Sequence, residues 1–302
     1  MTELLPILLK VTVVIFMAGN LLELGLRLDL QKAMAGLRDV RFVTLSLLWA
    51  FVLCPALAYA LGAVLPLSEP YAMGLLLLGL APCAPLLPGM VDKARGDVNY
   101  AASFMLLASA GTVLYMPLAV PLLVKGLTVS AWTVAKPMLF LVLIPLVVGM
   151  AIQLRRPSTA RFLQPYVKKI TGVDTLVMLA VVVVMYGRGF ASAIGTWAVL
   201  AQALFYTITI VASYALAFGV SPSRKSVLTL GLSTRNNGAA LAPLLVSPGV
   251  APEATVMVTL GIPMMALFSV VAARVFAGRS GPADAVITRS PVGAGGAERL
   301  HQ

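Results

Sequence analysis

Residues 81–89 read Ala-Pro-Cys-Ala-Pro-Leu-Leu-Pro-Gly, and residues 233–243 read Ser-Thr-Arg-Asn-Asn-Gly-Ala-Ala-Leu-Ala-Pro. Both stretches interrupt apolar segments that are otherwise long enough to cross a bilayer as helices. The three prolines of the first stretch remove backbone donors and disfavour helix at the residues before them. The second stretch places Arg235 where the middle of the bilayer is expected. We therefore predict two broken helices, which membranes tolerate when the interrupted backbone is buried in protein or lines a cavity.

The composition indicates a membrane protein. Of the 302 residues, 60% are hydrophobic and 11% are charged, and the mean hydropathy is +0.97. Soluble domains carry about 25% charged residues, so soluble enzymes are excluded. Disorder is excluded by the apolar content, and a transmembrane barrel by the absence of apolar–polar alternation. The net charge of +11 comes from basic residues clustered in the loops, and we do not interpret it as a sign of nucleic-acid binding.

Segments with little or no charge predict an all-α membrane protein of about nine transmembrane helices. We place these spans at 4–26, 42–65, 71–90, 99–122, 132–154, 171–190, 195–219, 226–246 and 253–276.

The basic residues predict the orientation of the chain. If successive spans alternate in direction, 17 of the 22 Lys and Arg residues fall on one face. The opposite face holds Lys10, Lys125, Lys136 and Arg188. Cytoplasmic loops are enriched in positive charge, so we predict an inner-membrane protein with its N-terminus outside and its C-terminus in the cytoplasm. We expect no signal peptide, because no basic segment precedes the first apolar run.

The positions of the two breaks predict an inverted repeat. The broken helix is the third of four spans in the first half, about 4–122, and the fourth of five in the second, about 132–276. These positions correspond if the first half lacks an initial helix, and an odd five-helix repeat gives the halves opposite orientations. Transporters of this design bind substrate where the broken helices meet near the midplane. Prolines that merely kink packed helices are the alternative interpretation.

The predicted domain organisation follows from this repeat. We treat residues 1–276 as a single transmembrane transporter domain. Residues 277–302 are rich in Gly, Ala, Pro and Ser, and we predict a disordered cytoplasmic tail there.

Three motifs resemble the bile acid:sodium symporter superfamily. They are Gly-Leu-x-Leu at 25–28 before a basic loop, Ala-Arg-Gly-Asp at 94–97 after the first break, and Arg-Asn-Asn-Gly-Ala-Ala-Leu-Ala at 235–242. The likeness extends over roughly residues 5–276. It implies a panel and a core domain, with the two broken helices crossing in the core. It also implies a secondary transporter of carboxylate-bearing organic anions such as bile acids, pantoate or keto acids, usually coupled to sodium.

The chain departs from the sodium-binding pattern of that superfamily. Leu87 and Pro88 stand about where members carry Ser-Asn, and Leu232 stands at a glutamate position. Arg235 stands at a glutamine position, and a guanidinium offers no oxygen ligand. We therefore expect no sodium at the usual sites and leave the coupling ion open, with a proton as one possibility.

Arg235 has two competing interpretations. It could form two hydrogen bonds to a substrate carboxylate. Alternatively, it could be a fixed cation that fills the space of a lost sodium and holds the crossed helices together. The candidate substrate-binding or crossing residues are Arg235, Asn236, Asn237, Ser233, Thr234, Gly238, Pro82, Pro85, Pro88, Glu23 and Asn20.

Acidic residues in the spans are few. Glu23 could pair with Arg235, titrate in a proton-coupled cycle, or lie at the cytoplasmic membrane surface near Arg27. Asn20 lies almost one turn before it. Asp174 follows two lysines at the expected start of the sixth span, and we interpret it as a helix-end charge.

Other functional classes are less well supported. The only histidine, His301, is in the tail, and no metalloprotease or nucleophile-elbow motif is present, so we predict no enzyme. Cys54 and Cys83 lie inside apolar runs as small hydrophobes, and we expect no cofactor or metal site. The remaining alternative is a ligand-binding membrane sensor or a channel-like protein without coupled transport. The oligomeric state stays open.

Overall fold

The computed structural model describes residues 4–83, 86–124, 130–247 and 249–279. The described residues form α-helices, two of which contain a short π-helical turn, with connecting turns and one isolated backbone bridge between them. The helices are α1 (Leu4–Arg27), α2 (Leu30–Leu37), α3 (Val40–Val64), α4 (Glu69–Leu80), α5 (Leu87–Lys93), α6 (Val98–Leu123), α7 (Ala131–Arg155), α8 (Pro157–Ile194), α9 (Ala198–Ala215), α10 (Pro222–Ser233), α11 (Asn237–Val246) and α12 (Pro252–Ala277).

Seven of the described helices are long and apolar enough to cross a membrane: α1, α3, α6, α7, α8, α9 and α12. The chain is therefore an all-α integral membrane protein. The remaining apolar segments are divided into the shorter pairs α4/α5 and α10/α11, at the two places where the sequence predicts breaks. The total of nine spans stays a prediction, because neither pair contains a helix of full spanning length.

One predicted boundary is wrong. The sixth span was expected at 171–190, but α8 runs from Pro157 to Ile194. Its 38 residues measure about 57 Å at 1.5 Å per residue, nearly twice the thickness of a hydrocarbon core. The basic segment before residue 171 therefore continues the helix, since charge outside the bilayer does not stop it. The loop between the first two spans also contains a helix, α2.

Prolines inside α3 and α7 are accommodated by wider turns. Pro55 follows a π-helical turn at Trp49–Leu53, and Pro145 follows one at Leu139–Leu143. A proline donates no hydrogen bond to the preceding turn, and its ring collides with the carbonyl there. The local widening lets both helices continue.

Helix α1 packs against α7 and α8. Its closest approach to α7 is at Gly25 and Gly149, where each glycine faces the backbone of the other helix. A Cβ added at Gly149 would lie 2.5 Å from the carbonyl oxygen of Leu22 and 2.8 Å from the amide nitrogen of Leu26. Such contact between backbones, made possible by small residues, is typical of membrane helix pairs.

The two broken helices make reciprocal contacts. The first half of one pair, α4, packs against α3 and α12, and the first half of the other, α10, packs against α9 and α6. Helix α5 contacts α10, and α4 contacts α11. Each broken helix therefore lies between the helix before it and the helix that follows the other break. An inverted repeat predicts this exchange of neighbours.

Candidate functional site

The two breaks meet backbone to backbone. The amide of Asn236 donates a hydrogen bond of 3.0 Å to the carbonyl oxygen of Ala81, and Pro82 and Arg235 form an antiparallel bridge. The Thr234 side chain also lies beside the Cys83 thiol. Cys83 has φ +63°, a left-handed conformation that is uncommon for a residue with a side chain. The broken helices therefore cross at residues 81–83 and 234–236, as the resemblance implies.

The three prolines of the first break have different positions. Pro82 is buried in the crossing itself. Pro85 lies outside the described residues. Pro88 belongs to the first turn of α5, where a proline's missing N–H breaks no helical bond. Pro88 therefore starts the second half-helix and does not contribute to the interruption.

The second break is short and its polar side chains bond mostly within it. The hydroxyl of Thr234 donates to the carbonyl of Leu230 over 2.9 Å. Ser233 and Ser269 of α12 share a hydroxyl–hydroxyl bond of 3.1 Å. The Asn236 side chain accepts a bond of 3.0 Å from the amide of Ala239, which caps α11. An anion at this helix N-terminus would therefore compete with the cap.

Arg235 is completely buried at the crossing. Its Nη2 lies 3.5 Å from the carbonyl oxygen of Gly79, near the C-terminal end of α4, and its guanidinium lies 5.0 Å from the ring centre of Phe205. Both contacts suit a cation, because helix C-termini and aromatic faces are negative. Its Nε and Nη1 have no hydrogen-bond partner among the described residues, and no carboxylate there pairs with it.

Asn237 and Gly238 connect the crossing to its surroundings. Asn237 is nearly buried; its amide nitrogen lies 3.3 Å from the carbonyl of Arg235, and its Oδ1 has no donor among the described residues. At Gly238 an added Cβ would lie 2.5 Å from Cγ of Met17. Helix α1 therefore packs directly on the first turn of α11.

A buried polar face on α9 was not predicted. Gln202, Tyr206, Thr209 and Ser213 are all completely buried. Gln202 donates to the carbonyl of Met257 over 2.6 Å, and Tyr206 to that of Gly261 over 3.3 Å. The spacing of four, three and four residues places them on one helical face. Polar residues at this spacing in an otherwise apolar span could have predicted the buried polar face of α9.

Glu23 is not at the crossing. Its carboxylate accepts a hydrogen bond of 2.6 Å from Gln164 of α8 and lies 3.8 Å from Arg27. It is six residues, or about 9 Å, beyond Met17 along α1. Among the described residues Glu23 pairs with Arg27, as the surface interpretation expects, and not with Arg235, but its side chain is buried, with 5% of the residue exposed. Asn20 donates to the carbonyl of Phe16 in its own helix over 2.7 Å.

The interpretation of Asp174 as a helix-end charge is wrong. Because α8 begins at Pro157, Asp174 lies more than four turns inside the helix. The residue is 8% exposed, and its Oδ2 has no hydrogen-bond partner among the described residues.

The other end of α10 is fixed by an ionic cluster. Arg224 forms a 3.1 Å ion pair with Asp39, and its guanidinium lies 4.2 Å from the ring centre of Tyr100. Asp39 also accepts the Tyr100 hydroxyl over 3.0 Å and caps α3 through the amide of Phe42. This cluster joins the second broken helix to α6 and to the turn before α3.

Comparison with known families agrees with this architecture. A family model described as the sodium bile acid symporter family matches residues 14–193, more than half of the chain. The match includes the first broken helix and ends within α8, before the segment that carries Arg235. A comparison with curated proteins found no match. The chain belongs to the sodium bile acid symporter family.

Proposed function

We propose that this protein is a secondary transporter of a small carboxylate-bearing organic anion, with alternating access at the crossing of the two broken helices. Members of the family are transporters rather than enzymes, and the long apolar helices place the chain in a bilayer. The inner membrane is the proposed location, with the C-terminus in the cytoplasm.

The observation that carries this proposal is the buried Arg235. A cation inside a membrane protein is costly and is normally paired. Arg235 has no acidic partner in the described part of the chain, and two of its nitrogens are free to donate there. An anionic substrate with a planar carboxylate would supply the missing acceptors in the geometry that a guanidinium prefers.

Arg235 also supports sodium independence at the family's usual sites. The guanidinium already occupies the region beside the carbonyl end of α4, and Leu232, at a position where the resemblance implies a glutamate, is apolar and buried. Two unit positive charges about 4 Å apart repel by about 4 kcal/mol at an effective dielectric of 20. That energy corresponds to a weakening of sodium binding by roughly a thousandfold.

Uptake by the purified full chain in proteoliposomes tests the proposed function. Candidate organic acids would be offered under imposed sodium or proton gradients, with exchange against internal unlabelled acid measured in parallel. Saturable uptake or exchange of at least one acid is the expected result. Saturable binding with neither uptake nor exchange would instead favour a sensor, and unsaturable flux a channel.

A further inference from the structure

Asp174 is a carboxylate that the crossing does not use. We propose that it is the residue at which this transporter binds and releases a proton, so that proton movement is coupled to transport. This inference rests on the proposed function, because it names the coupling ion of the same cycle. Its evidence is separate from that for Arg235 and comes from the contact between α1 and α8.

The depth of Asp174 follows from the register of α1 against α8. Glu23 of α1 contacts Gln164, and a Cβ added at Gly19 would contact Thr171. The earlier residue of α1 therefore contacts the later residue of α8, so the two helices are antiparallel. Three residues beyond Thr171, Asp174 is level with Phe16.

Asp174 therefore lies at the same depth along α1 as the crossing of the broken helices. Phe16 is near the midpoint of α1, and both Phe16 and Met17 approach Gly238, in the first turn of α11. Helix α1 contacts both α8 and α11. A change of charge at Asp174 can therefore act on the crossing through the packing of α1.

The surroundings of Asp174 favour a protonated carboxyl group. Its Oδ2 is enclosed, with no hydrogen-bond donor among the described residues. An ionised group in such surroundings lacks the hydration that it has in water, and taking up a proton removes the charge. On the neighbouring turns of the same face, Thr171 and Met178 are buried as well, and Thr171 faces Gly19 of α1.

Charged groups on the neighbouring helices do not pair with Asp174 in the described structure. Helix α9 carries none. The others are Lys10, Glu23 and Arg27 on α1, Lys136 and Arg155 on α7, Glu253 and Arg274 on α12, and Arg161, Lys168, Lys169 and Arg188 on α8 itself. No ion pair joins any of them to Asp174.

Asp174 lines a groove of 420 Å³ on the outer side of α8. Ile15 of α1 lines it together with Lys169, Ile170, Val173 and Val177 of α8. Lys169 lies at one end of the groove. The distribution of basic loops predicts that this end faces the cytoplasm. In the proposed cycle a hydronium ion gives a proton to a carboxylate oxygen of Asp174 and becomes water, and the new O–H bond breaks when the proton is returned to a water molecule.

Infrared difference spectroscopy of the full chain in lipid bilayers tests the proposal without any substrate. Between alkaline and acid buffers we expect the C=O band of a carboxyl group shielded from water. The band should disappear in Asp174→Asn, shift in Asp174→Glu, and persist in Glu253→Gln, which removes an exposed carboxylate of α12. A missing band, or one unchanged in Asp174→Asn, overturns the proposal. Should Asp174→Asn fail to fold, the band position in Asp174→Glu decides the question.

Transport assays then separate this inference from the proposed function. An inward proton gradient should accelerate wild-type uptake in sodium-free buffer, and Asp174→Asn should lose that acceleration while keeping exchange of internal for external acid. Exchange in the wild type without any effect of the proton gradient overturns the role of Asp174 and leaves the proposed function intact. Absence of exchange for every acid overturns the proposed function, while the infrared result still decides whether Asp174 binds a proton.

Discussion

The amide of Asn236 donates to the carbonyl oxygen of Ala81 across the two broken helices, over 3.0 Å. In an unbroken helix this carbonyl would accept from residue 85, which is a proline and has no N–H. Likewise, the amide of Asn236 would donate to Leu232 if its own helix continued. Each break therefore leaves one backbone group without its helical partner, and the crossing pairs the two. This satisfies both groups inside a bilayer, where water is not available to do so.

We expect Asn236→Ala to destabilise the crossing. The substitution keeps the backbone bond to Ala81 but removes the side-chain cap on the amide of Ala239. Loss of such a cap costs about 1 kcal/mol, and Asn236→Ser, which can still cap, should cost less. Thermal unfolding in detergent measures both variants. Equal stability of Asn236→Ala and the wild type would show that the cap contributes nothing.

We expect Gly25→Ala and Gly149→Ala to disrupt the packing of α1 on α7. At each position the new Cβ would meet backbone atoms of the partner helix, which cannot turn aside as a side chain can. The helices must separate, and overpacking of this kind costs about 1–3 kcal/mol.

Gly172→Ala is the matched control for these variants. It lies in α8, where an added Cβ would meet nothing within 4 Å. Alanine favours helix over glycine, so this variant should be as stable as the wild type or slightly more stable. If all three variants unfold at the same temperature, the close contact between α1 and α7 has no energetic importance.

Reporter fusions test the predicted orientation. A fusion at Val124, after α6, should report the outside, and one at Arg279, after α12, should report the cytoplasm, because the basic loops fall on one face. The matched control moves the second fusion to Gly195, after α8, which should report the outside. Reports from the same side at Val124 and Arg279 would contradict the predicted number of spans.

Much of this architecture could be predicted from the sequence, because it depends on local chemistry. Three prolines in nine residues and an arginine in an apolar run identify both breaks, whereas the crossing was implied by the resemblance to the family. The length of α8 could not be predicted, because its first turns are polar and carry no membrane-spanning signal. The hydrogen-bond partner of Glu23 could not be predicted either, because Gln164 is 141 residues away in the chain. Asp174 was misinterpreted for the same reason, as its depth depends on where α8 begins.

We expect uptake to continue when sodium is replaced by choline at fixed pH and membrane potential. Leu232 supplies no carboxylate, and the charge of Arg235 repels a second cation in the same region. Proteoliposomes measure this, and the control is wild-type uptake with potassium in place of sodium. A saturable sodium dependence that disappears when residues 233–237 are changed would contradict this prediction.

Variants of Arg235 separate its two proposed roles. If the guanidinium binds a substrate carboxylate, Arg235→Gln should weaken anion binding by about 1.5–3 kcal/mol, roughly ten- to a hundredfold in Kd. Arg235→Lys keeps the charge without the planar pair of donors and should retain part of the affinity. If the residue only holds the crossing together, through Gly79 and Phe205, the losses should instead appear in thermal stability, with the affinity of the folded fraction unchanged.

Binding and unfolding are therefore measured on the same preparations, with Arg161→Gln as the control. Arg161 is an exposed arginine near the start of α8, so its loss changes the net charge by the same amount without touching the crossing. Arg235→Leu removes charge and donors together. Unchanged binding, transport and stability in Arg235→Leu, at normal expression, would exclude both roles, because neither a substrate clamp nor a structural cation can be replaced by an apolar side chain.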